Sequence, residues 1–173
     1  MKWDGYPSDV LAATVAEMDF PVAAPITAAL RAAIDRHDLG YAHAHIPRLA
    51  EALSGFAARR LRWLVDPEQV RLVPDVMVGV LELARLLVGE NRAVAFATPA
   101  YRPFIADLPP SGLVVQEVPL LDDGAIDVVR LRAAFEGGTR VFLLANPHNP
   151  TGRSFRGPSW RISPTCASNA GSG

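Results

Sequence analysis

An α/β fold, with a largely parallel sheet and helices on both of its faces, is the class this sequence predicts. Three observations lead there. Short, wholly apolar runs such as "AVAFA" and "RVFLLA" are of the type that fills strands buried on both faces. They alternate with segments whose apolar residues recur every three or four positions, the pattern of strands joined by crossover helices. Half of the 173 residues are apolar, enough for a substantial core.

Taken in order, residues 1–22 are irregular and punctuated by Pro7 and Pro21. "PITAALRAAIDRH" (25–37) sets Ile26, Ala29, Leu30, Ala33 and Ile34 at helical spacing, behind a proline that suits a first turn. "IPRLAEALSGFAARRLRW" (46–63) predicts a second helix, with Leu49, Leu53, Phe56, Ala57 and Leu61 on one face. "QVRLV" (69–73) reads as a short strand stopped by Pro74, and "DVMVGVLELARLLV" (75–88) as a helix starting just after that break. "AVAFA" is a strand, "YRPFIADL" a short helix or turn, and "GLVVQEVPL" a strand. "DVVRLRAAFEG" is a helix ended by Gly137 and Gly138, and "RVFLLA" is the last strand. Periodic order ends near Arg156.

Composition narrows the function. A net charge of −1 with no basic stripe argues against a nucleic-acid partner. The start "MKWDGYPSD" is not leader-like, and Glu82 and Arg85 interrupt the most apolar stretch, so the expected setting is cytoplasmic, without membrane insertion. The single cysteine, Cys166, allows neither a disulfide framework nor a cysteine-rich metal site. His37, His43 and His45 lack a metal-ligand spacing and read as surface residues, so no metal is expected. No dinucleotide-type or nucleoside-triphosphate-type glycine loop occurs. A small-molecule ligand is the natural expectation.

Two stretches could hold one. "ANPHNPTG" follows an apolar strand, at the carboxyl edge where ligands settle in parallel sheets, and an asparagine there can donate a neutral amide hydrogen to a ligand oxygen. The same residues are turn formers, so a plain turn stays open. "VPDVMVGV" joins a break to a helix start, where free amides and the positive dipole end suit an anion; an ordinary connection is the alternative.

"NPHNPTG", together with "AEMDF", "GY" at Gly40 and Tyr41, "VPDVMVGV" and "TPAY" at Thr98 to Tyr101, resembles the motif series of class I/II aminotransferases over residues 1 to about 155. The set is most similar to the MalY/PatB branch, the cystathionine β-lyase-like C–S lyases. The resemblance implies the amino-terminal part of a fold type I large domain that binds pyridoxal 5′-phosphate (PLP). Residues 1–24 would form an N-terminal arm or small-domain segment, 25–155 an incomplete PLP-binding domain, and 156–173 an aberrant tail. It further implies that Asn149 donates to the cofactor's phenolic oxygen and that Tyr101 stacks on its ring. The phosphate would rest on backbone amides around Asp75, Val76 and Met77, and Tyr41 would reach the phosphate of a partner subunit in a homodimer, a turn with a core aromatic being the alternative. Asp19 would lie near the substrate entrance, a solvated or capping aspartate being the alternative. The implied activity is α,β-elimination from cystathionine or another cysteine S-conjugate to thiol, pyruvate and ammonia. Aminotransfer on the same scaffold, or a non-catalytic cofactor-binding or subunit-pairing role, are the alternatives.

One count bears on all of this. Of the 17 basic residues only Lys2 is a lysine, and it lies in the N-terminal arm rather than where the family carries its Schiff-base lysine. No catalytic residue can be assigned, and the chain reads as a truncated, inactive member. The polar stretch "RGPSWRISPTCASNAGSG", where the family continues with an amphipathic helix, is what a frameshift near Phe155 would produce, a natural short protein with a disordered tail being the alternative. A sheet short of its later strands would also expose an edge and an apolar face.

Overall fold

The computed structural model describes residues 5–13 and 16–155; Lys2 and the expected aberrant stretch 156–173 lie outside them. The chain divides into two units, residues 1–69 and 70–173.

In the first unit, helix α1 (Ala24–Asp35) carries a proline in its first turn, as its sequence leads one to expect. Its stripe of Ile26, Leu30 and Ile34 is exposed. Helix α2 (Pro47–Phe56) also opens on proline and buries Ala50. It does not continue as an α-helix to residue 63. The hydrogen bonding widens into a π-helical turn over Ala57–Leu61, and the left-handed Arg62 (φ 53°) ends the helix. The Trp63 amide then returns to the Ala57 carbonyl at 3.2 Å.

The expected strand at 69–73 is not formed. Gln69 closes a short 3₁₀ turn and residues 70–73 are irregular. The cause is the lack of a neighbour: the sheet has three strands, none of them beside this segment, and an alternating pattern becomes a strand only when its amides are paired.

The second unit is α/β. Helix α3 (Val76–Leu87) starts at the N-cap Asp75. Strand β1 (Ala93–Thr98), helix α4 (Arg102–Asp107), strand β2 (Val114–Pro119), helix α5 (Val128–Glu136) and strand β3 (Val141–Leu143) come after it. The sheet order is β2-β1-β3 and both pairings are parallel, with Val94 facing Val115 on one side and Val141 on the other. β1, apolar up to its last residue Thr98, is therefore the central strand, buried along almost its whole length, as its sequence predicts.

Alternation along β1 assigns the two layers. Val94 and Phe96 pack with Ala84 of α3, with Val88 that caps its carboxyl end, and with Leu108 and Leu113. Ala95 points to the opposite face and packs with Val118, Ile126, Leu131 of α5, and Phe155. Helices thus cover both faces. Burying a side chain as large as Phe96 or Leu131 contributes about 2 kcal/mol. The last strand is shorter than "RVFLLA" suggests, because pairing stops at Leu143 and the chain turns into the proline loop.

Candidate functional site

β1 and β3 run parallel, so the segments leaving both strands emerge at the same, carboxyl edge of the sheet. After β1 the chain passes through Pro99 to Tyr101; after β3 it enters the loop 144–152. The Thr98–Pro99, Asn146–Pro147 and Asn149–Pro150 bonds are cis. Between these segments lies a shallow open recess of about 10 Å³, room for little more than one water, lined by residues that include Tyr101, Phe104, Leu143, His148 and Asn149.

Tyr101 is held from beneath. Its ring meets Phe104 edge-on, with centroids 5.7 Å apart at 85°. Phe104 in turn tilts against the buried Phe96 at 5.7 Å. Core packing therefore fixes the aromatic side chain while 41% of Tyr101 stays exposed, leaving surface for a flat heteroaromatic ligand.

Asn149 sits exposed in a loop that is fastened on both sides of it. The Asn146 side chain donates through Nδ2 to the Phe155 carbonyl at 3.2 Å and accepts the Phe155 amide at 3.0 Å. The His148 amide donates to the Arg153 carbonyl at 2.7 Å, and the Gly152 amide donates to the His148 carbonyl at 2.6 Å. Gly152 has φ +71°, a conformation that glycine adopts without strain. His148 Nδ1 lies 2.9 Å from Thr151 Oγ1, and the imidazole sits edge-on to Phe155 at 5.8 Å.

At the start of α3 the amides that suit an anion have an internal partner. Asp75 is an N-cap with extended backbone, and its Oδ1 accepts from Met77 N at 2.7 Å and Val78 N at 3.4 Å. Val76 is exposed. An external anion at Met77 would meet this carboxylate first.

The other candidates lie in the first unit. Tyr41 is fully exposed in the irregular segment after α1, and Asp19 is exposed in the irregular segment before it. His37, His43 and His45 belong to that unit as well. Among the described residues no three His, Cys, Asp or Glu side chains are grouped as a metal site would require.

Sequence reasoning picked out Asn149 and passed over His148, Thr151 and Asn146, the residues that fasten its loop. Asn146 and Thr151 read as turn formers there. Only proximity to Asn149 marks His148, which no periodic pattern distinguishes.

Residues 10–162 match the family model described as aminotransferase class I and II. A Mycobacterium leprae relative provisionally named cystathionine beta-lyase is 40% identical over 161 residues, covering 88% of this chain and 40% of that protein. The cystathionine beta-lyase of Corynebacterium glutamicum is 34% identical over 155 residues, covering 90% of this chain and 41% of its own length. The crystal structure of a provisionally named PLP-dependent beta-cystathionase from Corynebacterium diphtheriae superposes with a TM-score of 0.81 at 31% identity, over 92% of this chain and 41% of that one. The chain thus spans about two fifths of the length of the curated relatives it matches. Among the described residues no helix is long and apolar enough to cross a membrane.

Proposed function

Since the chain belongs to the aminotransferase class I and II family, we propose that its Tyr101–Asn149 recess is the ring end of a PLP site, in the amino-terminal part of a carbon–sulfur β-lyase. The observation that carries this reading is that an exposed, propped aromatic ring and a fastened asparagine, far apart in sequence, line one recess at the carboxyl edge of the sheet.

The residues fit the ring end of such a cofactor. When bound, the cofactor supplies an electron sink for negative charge at the α-carbon of an amino acid. Asn149 donates its side-chain amide hydrogen to the phenolic oxygen of the ring. Tyr101 lies against one ring face and keeps water from it. Backbone amides around Asp75, Val76 and Met77 would hold the phosphate, which would compete with the Asp75 carboxylate for Met77 N. From the first unit, Tyr41 reaches the phosphate of a partner subunit in a homodimer, and Asp19 lies toward the substrate entrance. Residues 1–24 act as an arm and 25–155 as the cofactor-binding part.

The substrate is a cysteine S-conjugate such as cystathionine, split to thiol, pyruvate and ammonia in the cytoplasm; aminotransfer is the alternative chemistry on this scaffold. One observation favours a binding role for these 173 residues taken alone. They hold a single lysine, Lys2, in the N-terminal arm, so the described residues bring no lysine amine to exchange with substrate or to move its α-proton.

Equilibrium binding of PLP by the chain tests this. Asn149→Ala and Tyr101→Ala are each expected to weaken binding by roughly three- to tenfold, the worth of one neutral hydrogen bond or one aromatic contact. Affinity unchanged in both variants would refute the assignment of the recess.

A further inference from the structure

His148 is only 4% exposed, yet it lines the recess beside Asn149. Its position is fixed from several directions: both of its backbone polar groups are bonded within the loop, and its ring rests on Phe155. The two ring nitrogens then have different fates.

Nδ1 is committed to Thr151, at 2.9 Å from Oγ1. The same hydroxyl oxygen accepts the Arg153 amide at 3.4 Å. The hydroxyl also has a hydrogen to give, and Nδ1 is an acceptor within reach, the direction of this bond being set by the histidine tautomer. A hydroxyl donating to Nδ1 places the imidazole proton on Nε2. Among the described residues Nε2 has no hydrogen-bond partner, yet none of their buried side-chain nitrogens or oxygens is left unpaired. Nε2 therefore keeps some exposure in an otherwise buried residue, and His148 is among the residues that line the recess.

We propose that His148 is a second ligand contact of the recess, presenting a neutral Nε2–H donor beside Asn149 to an acceptor atom of a hydroxypyridine-type ligand. The assignment rests on the reading of the recess as a ring site and adds a specificity element to it. Two neutral donors side by side select a ligand edge rich in acceptors, such as a phenolic oxygen, over a purely apolar ring. Thr151 has a positioning role: without its hydroxyl, the proton of His148 is free to sit on Nδ1 and the donor into the recess is lost.

The test uses the 173-residue chain labelled with ¹⁵N, and 3-hydroxypyridine as probe, which has the ring and the phenolic oxygen but no aldehyde to react with Lys2. Long-range ¹H–¹⁵N spectra read the tautomer directly, and His148 is expected to show a protonated Nε2 and a bare Nδ1. Saturating probe is expected to shift both His148 Nε2 and the Asn149 side-chain amide. His148→Asn keeps an acceptor near the Nδ1 position but has no donor at Nε2, and should weaken probe binding roughly three- to tenfold. His148→Gln places an amide nitrogen near the Nε2 position and should restore binding to within about threefold.

A protonated Nδ1, or an Nε2 resonance unmoved while the Asn149 amide responds, would overturn the proposal and leave the ring site standing. Silence of Tyr101, Asn149 and His148 together would remove the ring-site reading and this contact with it.

Discussion

Asn146 and Phe155 hold each other across the base of the proline loop, the asparagine side chain donating to the phenylalanine carbonyl and accepting from its amide at 3.2 and 3.0 Å. The pair closes the loop that carries Asn149, and Phe155 itself is 5% exposed, packed with Leu131 and Ala95. The loop that carries Asn149 is in this way tied to the core.

Asn146→Ala removes both bonds and should lower unfolding stability by about 1–2 kcal/mol, at roughly 0.5–1.5 kcal/mol for each neutral hydrogen bond. Asn146→Asp keeps the acceptor for the Phe155 amide and loses the donor, so about half of that loss is expected. Urea titration followed by tryptophan fluorescence gives both values; equal stability of all three proteins would mean that the pair does not fasten the loop.

Asp75 gives a prediction in two directions. Asp75→Ala deletes the cap of α3 and should cost about 1 kcal/mol, whereas Asp75→Ser, which still caps, should cost little. Both substitutions remove a negative charge from beside Met77 N, so both should bind inorganic phosphate more tightly than the parent chain. Phosphorus NMR titration decides the sign, and weaker phosphate binding in both variants would show that Asp75 is part of the anion site rather than its competitor.

Tyr101→Phe keeps the ring and its edge-on contact with Phe104, so PLP affinity should stay within about threefold of the parent. If instead the Phe variant loses as much affinity as Tyr101→Ala, the hydroxyl and not the ring face makes the contact.

The core predicts a contrast within one helix. Leu131 is 1% exposed and Val129, two residues earlier on α5, is 74% exposed. Leu131→Ala should lower stability by about 2–5 kcal/mol and Val129→Ala by no more than about 0.5 kcal/mol. Differential sensitivity to a protease at rising urea separates them.

Most of the second unit was legible in the sequence, because its elements carry their own signals. Five apolar residues in a row made β1 a central strand, and Gly137 and Gly138 marked the end of α5. Where the reading failed, the deciding partner lay elsewhere in the chain. Residues 69–73 alternate like a strand but have no strand beside them, and α2 was expected to continue to residue 63 but passes into a π-turn closed by the Trp63-to-Ala57 bond. For the site, Tyr101 and Asn149 could be named because they stand in short motifs. His148 was not singled out: its burial and its Thr151 partner are properties of the folded loop, and a lone histidine between Pro147 and Asn149 has no spacing to betray them.

The central proposal is that these residues form a cofactor cradle and that Lys2, the one lysine of the 173 residues, does not do the chemistry. Pyruvate release from cystathionine by the purified 173-residue chain, supplied with PLP and free of any longer homologue, tests it most directly. The account predicts no pyruvate above the protein-free blank. Sustained release, with a stoichiometric pyridoxyl adduct on Lys2 after borohydride reduction, would contradict it.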